Sequence, residues 1–227
     1  MITVSLGGTE AVFALTDTPQ SITSTFGKEA ETVHNFTWIT SKDINSGVIE
    51  YCAKDEFAGF NQKNIQTAVA SSYGTNTDTD SRMVHKVELR DLKPGTDYVY
   101  HVGITGSYGP QGVFRTAGNE PYGFSFINIT DTQGSTSKDY AIWKNTLDVA
   151  LGKVPQARFL IHTGDMVDDG QKISQWNLFT GAVANELINL PIVPTLGNHD
   201  VLNSNNNNTC GDYKQVHNSG TAKRPGK

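Results

Sequence analysis

Three short polar clusters in the second half of the chain hold side chains able to bind metal and move protons. They are Asp131-Thr132-Gln133, Gly164-Asp165-Met166-Val167-Asp168 and Gly197-Asn198-His199-Asp200. Carboxylates bring negative charge to a cation, and one carboxylate can bridge two ions about 3.5–4 Å apart. Asn198 adds a neutral oxygen donor, and Gly164 and Gly197 let backbone approach the same point closely. A pair of ions held this way lowers the pKa of a bound water from about 15.7 towards 7 and clamps phosphate oxygens during in-line displacement. His199, next to a candidate ligand, is suited to protonate a leaving alkoxide or to steady a phosphoryl group.

Taken singly the clusters differ in weight. An aspartate after a strand, such as Asp131, is as readily a helix cap. Gly-Asp is a common pair, whereas Gly-Asn-His-Asp carries three polar residues where a cap needs one. The elements between the clusters add the missing specificity. Gly123 to Thr130 reads as a buried-type strand, and Tyr140, Trp143, Leu147, Ala150 and Leu151 recur at helical spacing. Arg158 to His162 reads as a second strand, and Trp176, Phe179, Val183, Leu187 and Leu190 trace one amphipathic helix that Pro191 ends. Ile192 to Leu196 reads as a third strand. This β-α-β-α-β order predicts a parallel sheet with right-handed crossovers. Ligands collect beyond the carboxyl ends of such strands, where all three clusters fall.

The first half is predicted to be all strands and turns. Asn35 to Thr40, Gly47 to Cys52, Met83 to Leu89, Tyr98 to Ile104 and Gly112 to Thr116 have strand character. Clusters such as Gly74-Thr75-Asn76-Thr77-Asp78 read as loops. Short strands at this spacing predict a β-sandwich. Leu89 to Tyr98 places Pro94-Gly95 before a strand that opens on tyrosine, the layout of a tyrosine corner, and Trp38 is the expected large core residue of an earlier strand.

The sandwich segment resembles a fibronectin type III-like module. The order Asp, then Gly-Asp-x-x, then Gly-Asn-His-Asp is similar to the first three blocks of the calcineurin-like metallophosphoesterases. Together with Leu92-Lys93-Pro94-Gly95-Thr96-x-Tyr98 and Val113-Phe114-Arg115-Thr116-Ala117, it resembles the purple acid phosphatases over residues 17 to 202. The resemblance implies an all-β fibronectin III-like sandwich at 17–118 and a partial α/β (β-α-β-α-β) metallophosphoesterase domain at 121–202. The remainder, 203–227, is a polar tail expected not to fold alone. It implies two metal ions (iron, zinc or manganese), with Asp131 on the first, Asp165 bridging, Asn198 on the second and His199 facing the phosphate. Asp200 is expected to support His199 by a hydrogen bond. The implied substrate is a small phosphate ester, and the implied compartment is extracytoplasmic.

The chain also departs from the family pattern. Asp168 stands where the purple enzymes carry the tyrosine that gives their colour, so no purple band is expected; Asp168 either supplies a carboxylate or sits outside the ligand shell. Gln133 stands where relatives often carry histidine, and neutral glutamine is a poorer ligand for zinc-like ions. Of six histidines, only His217 follows Gly-Asn-His-Asp. The family's later histidine blocks are not in the chain, so it is expected to be truncated and weakly active or inactive. The alternative from another class is a non-catalytic fibronectin-like binding module with a degenerate phosphoesterase remnant.

Bulk properties narrow the partners. A hydrophobic fraction of 37% and a charged fraction of 18% suit a globular protein rather than a disordered one. A net charge of -5 gives no basic footprint, which argues against nucleic acid or an anionic membrane surface as partner. No apolar run approaches the roughly 18–20 residues of a membrane-spanning helix, and the first residues lack the pattern of a signal peptide. Nothing in the pattern sets an oligomeric state. Cys52 and Cys210 read as free thiols. Asn35, Asn128 and Asn207 match the glycosylation sequon, with Asn128 expected to be enclosed in an apolar strand.

Overall fold

In the computed structural model the described residues are 16–118 and 123–201. The tail at 203–227, with Cys210, Asn207 and His217, lies outside them. The strands are β1 Gln20–Phe26, β2 His34–Ser41, β3 Val48–Ala53, β4 Gln66–Val69, β5 Ser71–Asn76, β6 Ser81–Leu89, β7 Asp97–Ile104, β8 Ser107–Tyr108, β9 Gly112–Arg115, β10 Ser125–Ile129, β11 Ala157–His162 and β12 Ile192–Pro194. The helices are α1 Ser137–Lys153, α2 Ile173–Ala182 and α3 Ala184–Leu187.

Strands β1 to β9 form two antiparallel sheets. One has the order β1-β2-β6-β5; the other has the order β4-β3-β7-β8, with β9 also paired to β7. The inward faces carry the large residues of one core, including Phe36, Trp38, Ile49, Leu89, Tyr100, Val102 and Phe114. Trp38 is fully buried, as its place in the sequence implied. The tyrosine corner is present: the Lys93 backbone N–H donates to the Tyr98 hydroxyl at 2.8 Å. The turn before it holds Asp91 at φ 56° and Gly95 at φ 61°, left-handed backbone that glycine adopts without steric cost.

One expectation fails here, and one strand had no signal in the sequence. Gly74-Thr75-Asn76 are not loop residues but the end of β5, which pairs with β6 from Ser71↔Lys86 to Asn76↔Ser81. Pairing to a partner strand outweighs the turn-prone composition, because strand preference depends on context. Strand β1 (QSITSTF) gave no apolar alternation, yet it pairs with β2 at the sheet edge.

Strands β10, β11 and β12 form the expected parallel sheet, in that order. Helix α1 starts at a capping box, with Asp139 N–H bonded to the Thr136 side chain and the Asp139 carboxylate accepting from Thr136 N–H at 2.9 Å. Such a cap is worth about 1 kcal/mol. Tyr140, Trp143 and Leu147 of α1 meet Trp176 and Phe179 of α2 over Ile127, Leu160 and Ile192 of the sheet. The single helix expected from Trp176 to Leu190 is two: Val183, at φ -122° and ψ 27°, separates α2 from α3. The third strand stops at Pro194, short of Leu196.

Among the described residues the helices cover one face of this sheet. On the other, Phe124 is 60% and Phe126 46% exposed, and Phe126 stacks on Phe159 at 5.3 Å. Asn128 lies exposed on this face, contrary to the enclosed position expected for it. Asn35, by contrast, is buried and donates to the Phe26 carbonyl. Cys52 is a buried free cysteine whose sulfur accepts from the Gln62 and Asn64 amides. No described helix is long and apolar enough to cross a membrane.

The two units are joined by directed bonds. Tyr100 Oη donates to the Ile188 carbonyl at 2.9 Å, Val113 N–H to Asn189 Oδ1 at 3.0 Å, and Arg82 to Asn177 Oδ1 at 3.1 Å.

Candidate metal centre

The parallel register brings the ends of β10, β11 and β12 to one edge, and backbone bonds then lock the following loops together. Asp131 N–H donates to the Gly164 carbonyl at 3.1 Å, and Thr195 N–H to the His162 carbonyl at 2.8 Å. Both strand-end aspartates are left-handed, Asp131 at φ 56° and Asp165 at φ 53°. For a non-glycine residue that conformation costs on the order of 1 kcal/mol and recurs where side chains are aimed for function. The glycines are there for space. A Cβ on Gly164 would lie 2.6 Å from Gly197 N, and a Cβ on Gly197 would lie 2.2 Å from Asp165 Oδ1.

Asp165 therefore packs directly on the third loop, where its Oδ1 accepts from His199 N–H at 2.8 Å. Asp131 Oδ2 accepts from Thr130 Oγ1 at 2.7 Å. Asn198 is exposed between Gly197 and His199. The His199 Nδ1 faces the Asp168 carbonyl at 2.9 Å, and a carbonyl only accepts, so the Nδ1 carries a proton and Nε2 is turned away. That backbone bond, followed by the nearby carboxylates of Asp165, Asp168 and Asp200, raises the His199 pKa above its ordinary value.

Asp200 does not support His199. Its carboxylate is fully buried and accepts from the backbone N–H groups of Met166 at 2.8 Å, Val167 at 3.1 Å and Gly197 at 2.9 Å. It thus ties the second loop to the third, and the unpaired N–H groups of a tight loop attract it more strongly than an exposed imidazole. Burial pushes its carboxyl pKa up, against the pull of those donors. The contact to His199 expected of Asp200 is made by Asp168 instead, whose carboxylate also lies 3.4 Å from Nδ1.

His162 is the residue that the sequence pattern did not single out. It is fully buried, its Nδ1 accepts from Gly164 N–H at 3.3 Å, and its Nε2 faces Thr132 Oγ1 at 2.9 Å. One neutral ring thereby fastens the loops after β10 and β11, and burial lowers its pKa to about 4. Tyr140 does a parallel job from α1, its hydroxyl lying within bonding distance of the Gly134 and Met166 carbonyls.

The donors fit part of a metal centre. Asp131, Asp165 and Asn198 offer oxygens, and Gln133 Oε1 is buried with no hydrogen-bond partner among the described residues, as an oxygen facing a cation or water would be. Among the described residues, however, no three His, Cys, Asp or Glu side chains cluster tightly enough to hold an ion by themselves.

Comparisons with known proteins bear on the family and the fold. The family model described as Purple acid Phosphatase, N-terminal domain matches residues 19–116, and that of Calcineurin-like phosphoesterase matches residues 124–224. Among solved structures, purple acid phosphatase PPD1 from yellow lupin (Lupinus luteus) seeds is similar at TM-score 0.65 and 18% identity, over 80% of this chain and 35% of that one. PhoD is similar at TM-score 0.51 and 14% identity, over 82% of this chain and 40% of that one. The chain thus spans well under half the length of either structure. No curated protein is matched by its sequence. With the two family models matching in succession along its length, the chain belongs to the purple acid phosphatase-like members of the calcineurin-like phosphoesterases.

Proposed function

We propose that this chain carries part of a dinuclear metal site for the hydrolysis of phosphate esters. The observation that supports the reading most is the pair of left-handed aspartates at the ends of neighbouring parallel strands, with Asp165 pinned by His199 N–H. Purple acid phosphatases and metallophosphoesterases use dinuclear metal centres. In this reading Asp131 holds one ion, Asp165 bridges and Asn198 holds the second, the metals being drawn from iron, zinc and manganese. When bound, such a pair supplies an activated water and positive charge against the phosphate oxygens.

The chain's own residues do the rest. The His199 N–H bond orients the Asp165 carboxylate. The Asp168 carbonyl holds the imidazole by Nδ1, which leaves Nε2 to face the phosphoryl group and to donate to the leaving oxygen when the ring is protonated. Asp168 acts through this bond rather than as a ligand, so the loaded protein lacks a purple band. His162, Tyr140 and Asp200 hold the three loops in register. Phosphate esters are the substrate class, and the compartment is extracytoplasmic.

The test is turnover of p-nitrophenyl phosphate by the chain loaded in turn with Mn2+, Zn2+ and iron. Slow metal-dependent turnover that Asp165→Asn and His199→Ala abolish is the expected result. Turnover unaffected by either variant would refute the assignment. The second reading, a non-catalytic fibronectin-like binding module, draws on the lack of a three-ligand cluster among the described residues; it expects no metal binding at all.

A further inference from the structure

The loop that carries Asp165 is gripped from behind by the sandwich. Between β5 and β6 the turn at Thr77–Asp80 is rigid: Thr77 N–H donates to the Asp80 carbonyl at 2.8 Å, and Thr77 Oγ1 accepts from Asp80 N–H at 3.0 Å. Asp80 in turn holds the Arg82 guanidinium by two bonds. Arg82 is 1% exposed and sends its remaining arm to Asn177 on α2. Asp78, at the tip, accepts from the N–H of Ile173, the first residue of α2, at 3.1 Å, and faces Lys172 Nζ at 3.4 Å. Helix α2 has no side-chain cap of its own, so Asp78 fills that role from the other unit.

From there the bonds lead straight into the candidate centre. Gln175 Oε1 accepts from Asp169 N–H at 2.8 Å, and Trp176 Nε1 donates to the Gly170 carbonyl at 3.0 Å. Gly170 N–H donates to the His199 carbonyl at 3.1 Å, and a Cβ on Gly170 would lie 1.8 Å from the Asp200 carbonyl oxygen. A shift of the α2 start is therefore a shift of both Asp165 and His199 loops.

We propose that the β5–β6 hairpin is a positioning element for the candidate centre, with Asp78 and Arg82 setting the start of α2 and, through Gln175, Trp176 and Gly170, the loops that carry Asp165 and His199. The sandwich then contributes to the geometry of the site without touching a substrate. Only the consequence for metal rests on the proposed function; the positioning itself does not.

The experiment is amide hydrogen exchange on the whole chain without metal, comparing wild type with Asp78→Ala and Asp78→Asn. Asp78→Ala is expected to speed exchange at Met166, Val167 and Gly170 by about five-fold, the loss of a typical cap. Asp78→Asn, which keeps an oxygen acceptor, is expected to restore protection to within about two-fold. The Val113 amide, bonded to Asn189 elsewhere on the interface, is expected to stay unchanged. Loop amides unchanged in Asp78→Ala, or Val113 accelerated as much as the loop, would overturn the proposal, the second because it marks general loss of docking. Should Asp78→Ala fail to fold, Arg82→Lys, which keeps the charge and loses the forked bond to Asp80, is expected to accelerate the same three amides, and their invariance would equally overturn it. With Mn2+ added, affinity in Asp78→Ala is expected to fall by a similar factor. No Mn2+ binding by wild type would refute the metal reading and leave the exchange comparison to decide the positioning role.

Discussion

The sandwich and the α/β unit solve the burial problem differently. In the sandwich each sheet covers the other, so Phe36, Trp38, Tyr100 and Phe114 are all at most 2% exposed. In the α/β unit the sheet has helices on one face, and Phe124, Phe126 and Asn128 stand exposed on the other. Phe26, at the end of β1, packs edge-on against Phe159 at 5.2 Å, so the sandwich also lends cover to the rim of that face. The contrast teaches where stability and chemistry reside. The sandwich is a closed core that anchors the chain, while the candidate centre sits on loops of the less enclosed unit, held by hydrogen bonds more than by burial.

The largest effect should come from the closed core. Trp38→Ala is expected to cost about 3–5 kcal/mol, read from denaturant melts; a cost near zero would put the anchor elsewhere. Acid should act on the same core. His34 is fully buried with neither ring nitrogen bonded among the described residues, and burial lowers its pKa to about 3. His85, bonded to Thr40 and Ser72, is lowered by burial to about 4. Both are neutral when folded, whereas the unfolded chain takes up protons below about pH 6.5. Their stability is thus complete above pH 6.5 and is lost as pH falls towards 4, by about 1.4 kcal/mol per pH unit per histidine. Melts between pH 7 and 4.5 should show this slope, and His34→Phe should remove one histidine's share of it; a flat wild-type profile would contradict it.

Smaller effects are expected in the α/β unit. Gly197→Ala forces its Cβ into Asp165 Oδ1. It should cost about 1–3 kcal/mol and accelerate exchange at the His199 amide, while the β2 amides keep their protection. Phe126→Ala on the open face should cost under about 1 kcal/mol; a cost like that of Trp38→Ala would mean that this face is closed after all.

Much of this difference was legible in the residues. The aromatic strand Asn35–Thr40, the turn before Tyr98 and the helical spacing from Tyr140 to Leu151 each state their surroundings through periodicity. The polar strands β1 and β5 do not, because they are held by ladder bonds to β2 and β6 that composition cannot display. The break at Val183 was hidden for another reason: α3 resumes with Leu187 on the same apolar face, so the spacing runs on across the interruption. At the site, residue type and position beyond a strand single out Asp131, Asp165, Asn198 and His199 as candidates. Type alone could not tell that Asp200 bonds backbone N–H groups rather than His199, or that His162 points inward to join two loops. Such roles depend on which loop donors lie within reach, and that is decided only when three distant segments meet.

The account turns on whether the three strand ends bind metal together. Calorimetric titration of the chain with Mn2+ and Zn2+, wild type beside Asp165→Asn, tests this most directly. Binding by wild type that weakens at least about ten-fold in Asp165→Asn, a loss of about 1.4 kcal/mol, is the predicted result. Equal binding by both proteins, or none by wild type, would contradict it.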